Sequence, residues 1–152
     1  MGIYDIEQVA HAFLAKSAMT HKKLQKLCYY AQCWNFYFNN KEKLANTNFQ
    51  AWVHGPVSPE LYQLYKVYGY EEIPLYKGES GLDDNHLEVV DSVFSAYGKY
   101  DGNELEAFTH SEKPWINARK GKAPYESSEE IISENDMFEY CTEIMNKSQA
   151  DV

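Results

Sequence analysis

The sequence predicts a mainly α, compact single domain of six to seven helices with at most a small two-stranded β element. Apolar residues recur at helical spacing through most of the chain, and the periodic segments open on capping residues. Only residues 48–53 and 73–77 read as strand. With 152 residues, 44% apolar and 15% aromatic, the chain can bury a substantial core.

Each element has a local cause. Residues 5–18 form an amphipathic helix, with Asp5 and Gln8 at capping-box spacing and Ile6, Val9, Ala10 and Phe13 on one stripe. Thr20 caps a longer helix over 21–39. Its apolar positions fall on two faces, Leu24, Leu27, Cys28, Ala31 and Phe38 on one and Tyr30, Trp34 and Tyr37 on the other, as expected of a central helix. His21, Lys22 and Lys23 crowd its first turn against the macrodipole. Carbonyls at the end of the preceding helix would offset that cost, or a partner demands it.

Asn48–Val53 is a short strand broken by His54-Gly55-Pro56, and Ser58-Pro59-Glu60 restarts a helix carrying Leu61, Leu64, Tyr65 and Tyr68. Gly69 ends it. Residues 70–83 are a loop, whose segment 73–77 is placed to pair with the first strand. Asn85 with Glu88 opens the next helix, with Leu87, Val90, Val93, Phe94 and Tyr97 on its stripe. Asp101 with Glu104 opens another, and Pro114 a short one. A polar loop over 120–132 leads to a last helix over 134–147, and the tail Ser148–Val152 is expected to fray.

The net charge of −9 argues against direct nucleic-acid binding through phosphates. The signs are segregated, however. No acid stands between Gln8 and Lys41, where His21, Lys16, Lys22, Lys23 and Lys26 gather; Glu126, Glu129, Glu130, Glu134, Asp136 and Glu139 follow one another without a Lys or Arg. Such polarity is either two solvated faces or a surface that orients a charged partner. Eight of the 13 tyrosines (Tyr29, Tyr30, Tyr37, Tyr62, Tyr65, Tyr68, Tyr70 and Tyr76) cluster between residues 29 and 76, more than one core should hide, so a few belong to an interface. No membrane span and no leader are read, and the expected location is the cytoplasm.

No cofactor or metal is expected. Cys28, Cys33 and Cys141 read as buried, reduced thiols, and Cys28 and Cys33 point about 140° apart on one helix. The five histidines lack metal-site spacing, and no P-loop, HExxH or GxSxG is present. A cluster of His54 and His110 is the one catalytic arrangement left, as a small hydrolase. Trp52, Gly55, Pro56 and Trp115 read as a structural clamp.

Three blocks carry a family resemblance. Met19-Thr20-His21-Lys22-Lys23-Leu24-Gln25-Lys26-Leu27-Cys28-Tyr29-Tyr30-Ala31-Gln32 resembles the first helix motif of the Panacea (SocA-like) antitoxin domain. Phe49-Gln50-Ala51-Trp52-Val53-His54-Gly55-Pro56-Val57 resembles its Ala-Trp…Gly-Pro-Val motif, and Leu105 to Arg119, with Thr109-His110 and Pro114-Trp115, its third. The order is the family's, and the resemblance covers about residues 5–120, leaving an acidic segment and helix over 121–147.

The resemblance implies a non-enzymatic antitoxin of a type II pair, in a prokaryotic or phage setting, that neutralises a cognate toxin by direct contact. Family toxins include translation-blocking enzymes akin to alarmone synthetases, and some relatives look like adaptors that deliver a toxin to an ATP-dependent protease. Leu24, Lys26, Leu27, Tyr29, Tyr30, Trp52, Gly55, Pro56, Thr109, His110, Pro114 and Trp115 carry the motifs in structural roles. Two surfaces compete for the toxin: one of Lys22, Lys23, Lys26, Tyr37 and Tyr62, the other of Glu129, Glu130 and Glu134. If the toxin reads nucleotide or RNA through a basic cleft, the acidic stretch would fill that cleft as a charge mimic.

Overall fold

Seven α-helices and one two-stranded hairpin make up the computed structural model, which describes residues 2–150. The caps act where local sequence places them. The Asp5 amide donates to Gln8 Oε1 at 3.0 Å ahead of α1 (Ile6–Leu14). Thr20 Oγ1 accepts the Lys23 amide at the start of α2 (His21–Phe38). Ser58 accepts from Leu61 to open α3 (Pro59–Tyr65), which tightens into a 3-10 turn before Gly69. Asp101 and Glu104 exchange both bonds of a capping box ahead of α5 (Gly102–His110). The helix α4 (Asp84–Tyr97) starts on Asp83 rather than Asn85: Asp83 accepts the His86 amide and also grips the His86 ring. The short α6 (Lys113–Ala118) carries Pro114 in its first turn, and α7 runs Glu134–Ala150, through part of the tail expected to fray. Asp151 and Val152 lie outside the described residues.

The helix α2 is central. It touches α1, α3, α4, α5, α7 and the hairpin. Leu24, Leu27, Cys28, Tyr29, Tyr30, Ala31, Cys33 and Phe36 are buried on it, while Phe38, expected in the core, is exposed. Polar side chains on the same helix are buried as well, and each clamps a loop. Gln25 makes two bonds with the backbone of Ser58, Gln32 two with Ala45, and Asn35 donates to the Glu42 carbonyl at 2.8 Å. Burying these amides is tolerable because both ends of the polar group find partners.

The lysines at the start of α2 are satisfied from outside the preceding helix. Lys23 Nζ donates to the Gly98 carbonyl at the C-terminus of α4, 2.6 Å away, where a helix end favours a cation. Lys22 pairs with Glu106 at 2.5 Å and bonds Asn103.

The hairpin corrects the strand reading. β1 (Gln50–Trp52) pairs antiparallel with β2 (Gly55–Val57), not with 73–77; Ile73 instead bridges Met19. Gly55 has φ +105° and closes the two-residue turn at Val53–His54, a conformation open to glycine. Pro56 is tolerated because it faces Ala51 at a position without ladder bonds: the Ala51 amide points the other way, to the Glu130 carbonyl at 2.8 Å.

No described helix is long and apolar enough to cross a membrane.

Candidate functional site

The three motif blocks, far apart in sequence, meet at one knot. Lys26 from α2 is 1% exposed and donates to the Pro56 carbonyl at 3.3 Å. Gly55 lies against Lys26 and Thr109, so close that an added Cβ would stand 2.6 Å from Lys26 Cε and 3.0 Å from Thr109 Oγ1. Thr109 spends its hydroxyl on the Glu106 carbonyl. Leu24, Leu27, Tyr29 and Tyr30 line the core behind the knot.

A second set of contacts ties α6 to the hairpin. Trp115 Nε1 donates to the Trp52 carbonyl at 2.8 Å, and His110 stacks on Trp115 with centroids 4.0 Å apart. Pro114 is buried at the start of α6. Arg119, buried, donates to three carbonyls: Ala51 at 2.8 Å, Ala123 at 3.1 Å and Glu126 at 2.6 Å. Arg119→Ala would strand the Ala51 and Glu126 carbonyls, while Ala123 keeps the Glu126 amide, and we expect a loss of about 3 kcal/mol in urea unfolding. The loop 120–132 should then become cleavable by protease; a loop as resistant as wild type would contradict its tether.

The knot shifts the titration of its members. Burial and the neighbouring Lys22 drive the Lys26 ammonium down to about 7, with Glu106 opposing. Burial and Lys26 lower His21, and burial lowers His110 despite Glu106. Burial pushes the Glu106 carboxyl up, but hydrogen bonds from Lys22 and His54 outweigh it and hold it below the usual range.

The two histidines of the hydrolase alternative part company here. His54 is 74% exposed and meets Glu106 at 3.2 Å; His110 lies on Trp115 with Nε2 buried and unpartnered among the described residues. No described hydroxyl or thiol bonds either ring. Cys28, Cys33 and Cys141 are buried free thiols, each pushed up by burial. Among the described residues no group of three His, Cys, Asp or Glu is placed to hold a metal.

The two expected docking surfaces differ in what they leave free. Lys26 is removed from the basic one by burial: it sits on the face of α2 shared with Tyr30 and Cys33, so it points inward. Lys22 and Lys23 are partly buried and engaged within the chain, and Tyr62 packs on Trp52 and His21. Tyr37 is partly buried against Phe38. On the acidic side Glu134 pairs with Lys43 at 2.7 Å, whereas Glu129 and Glu130 are exposed and form no ion pair among the described residues. Tyr125, not singled out by sequence, is 90% exposed on the same loop, and Tyr29 and Tyr30 are core. Arg119, Gln25 and Glu112 were also missed as individuals, although all three lie inside the quoted motif blocks.

A family model described as "Antitoxin SocA-like, Panacea domain" matches residues 24–116, a span that contains Lys26, the hairpin and the Thr109–Trp115 segment. Neither a curated protein nor a solved structure matches the chain.

Proposed function

The chain belongs to the SocA-like Panacea antitoxin family, and from that membership we propose that it neutralises a toxin protein by binding it stoichiometrically, without catalysis of its own. One observation carries the choice of surface. The lysines near α2 are spent inside the chain, while the acidic loop offers Glu129 and Glu130 unpaired to solvent among the described residues and carries the exposed Tyr125. Exposed carboxylates and an exposed tyrosine on one loop suit a basic partner: charge speeds encounter and selects it, and the tyrosine supplies contact area. A toxin that grips nucleotide or RNA in a basic cleft would meet here a mimic of its own ligand.

The test is coexpression with the toxic product of the neighbouring gene. The wild-type chain should restore growth while the toxin persists in a stable complex; toxin that vanishes instead indicates delivery to an ATP-dependent protease. Glu129→Lys with Glu130→Lys should weaken binding at least tenfold and flatten its salt dependence. Glu134 is left intact because its pair with Lys43 is structural. Unchanged affinity would remove the acidic loop from the interface.

A further inference from the structure

The hairpin has a third, shorter neighbour that the strand assignment leaves out. Ile131 bridges Gln50 antiparallel; the Ala51 amide donates to the Glu130 carbonyl and the Ile132 amide to the Phe49 carbonyl, both at 2.8 Å. In this pattern the polar groups of Glu130 and Ile132 turn toward β1, and the N–H and C=O of Ile131 turn outward. Those two groups make no hydrogen bond among the described residues, and Ile131 is 55% exposed.

Resting on the antitoxin reading, we propose that Glu130–Ile132 is a docking edge on which the toxin lays an extended, basic strand. The edge is prebuilt. Ile132 is buried, Ser128 Oγ accepts the Glu130 amide, and Arg119 pins the loop through Ala123 and Glu126. Little ordering entropy remains to oppose binding there. An open edge is a hazard that proteins usually blunt with lysine, proline or a bulge. Here the guards are Glu129 and Glu130, which repel a second copy of a chain of net charge −9 and admit a strand bearing Lys or Arg. The incoming strand would bond the Ile131 backbone, set an apolar side chain against Ile131 and place its cations by the two glutamates.

The probe is the blocked peptide Lys-Val-Lys-Val-Lys-Val-Lys, titrated into the isotope-labelled full chain and read by amide shifts and hydrogen exchange. The Ile131 amide should move and become protected. A peptide N-methylated on alternate residues, or one with Glu in place of Lys, should bind at least tenfold more weakly. Ile131→Pro deletes the outward N–H and the side chain and should also lose the peptide at least tenfold, whereas Ile131→Ala, which removes the side chain and keeps the N–H, should keep it. Shifts confined to other residues, equal binding of the N-methylated peptide, or a dimer of this chain that protects Ile131 would each overturn the edge. The peptide assay involves no toxin and the growth assay no peptide, so failure of one proposal is told apart from failure of the other.

Discussion

Gly55→Ala is expected to destabilise the protein by about 4 kcal/mol, against about 1 kcal/mol for Gly69→Ala. Both glycines have positive φ, +105° and +57°, so both substitutions force a side chain into a conformation that costs on the order of 1–3 kcal/mol. They differ in surroundings. At Gly69 nothing lies within 4 Å of the new Cβ. At Gly55 it would sit 2.6 Å from Lys26 Cε and 3.0 Å from Thr109 Oγ1. A lysine usually swings away at little cost, but Lys26 is enclosed and its ammonium is held by Pro56. Overpacking of this kind adds about 1–3 kcal/mol. Urea unfolding of the two variants measures the difference directly. Equal losses would mean that the knot yields, and the close meeting of the three motif blocks would then have no mechanical consequence.

The parts of the fold that were legible are those written within four residues. Asp5, Thr20, Ser58 and Asp101 act as caps because a cap needs only its own helix turn. Asp83, Asp84 and Asn85 are all competent caps, and the choice fell to Asp83 through a long-range partner: the His86 ring it holds also reaches Glu42 at 2.6 Å. The hairpin was illegible for a related reason. Gly55-Pro56 reads as a break unless one knows that Pro56 falls opposite Ala51 at a position that bonds elsewhere, which is a fact of register. Lys26 was misplaced by its charge alone. Its helical spacing from Tyr30 and Cys33 already put it on an inward face, and that signal could have outweighed the ammonium. The open edge at Ile131 depends on a pairing eighty residues apart by sequence, and no local pattern announces it.

Two buried ionisable groups should give the stability a minimum near neutral pH. Burial lifts the Glu112 carboxyl from 4.5 to about 7, although Tyr30 donates to it at 2.8 Å. A raised folded value means that its stabilisation is complete below the unfolded value and is lost as pH climbs through about 7. Lys26 works in the opposite sense. Its folded value is depressed from 10.5 to about 7, so its contribution is complete above the unfolded value and is lost as pH falls through about 7. At 1.36 kcal/mol per pH unit, the two limbs are worth at most about 3 and 5 kcal/mol. His86 steepens the falling limb: burial lowers it, but bonds to Glu42 and Asp83 prevail and raise it, so its stabilisation too fades as pH rises. The buried hydroxyls of Tyr30 and Tyr97 are raised by burial, which makes stability drop again once the unfolded chain's tyrosines ionise, so the rising limb is read between pH 7 and 9.

Single substitutions separate the limbs. Lys26→Met keeps the length of the side chain and removes the charge, which in a buried site should stabilise the chain at pH 7 and below. Its advantage over wild type should be constant below pH 7 and shrink steadily above it. Glu112→Gln should flatten the fall between pH 5 and 7, leaving the part due to His86. Denaturant unfolding at pH 5, 6, 7, 8 and 9 supplies the three curves. If Lys26→Met runs parallel to wild type above pH 7, the ammonium is not buried against Pro56 and Gly55, and the knot that unites the family motifs is wrongly drawn. If it converges, then this fold keeps a costly buried cation where a methionine would be more stable. The cation then holds the Pro56 carbonyl and fixes the hairpin, on whose far side the Ile131 edge is paired.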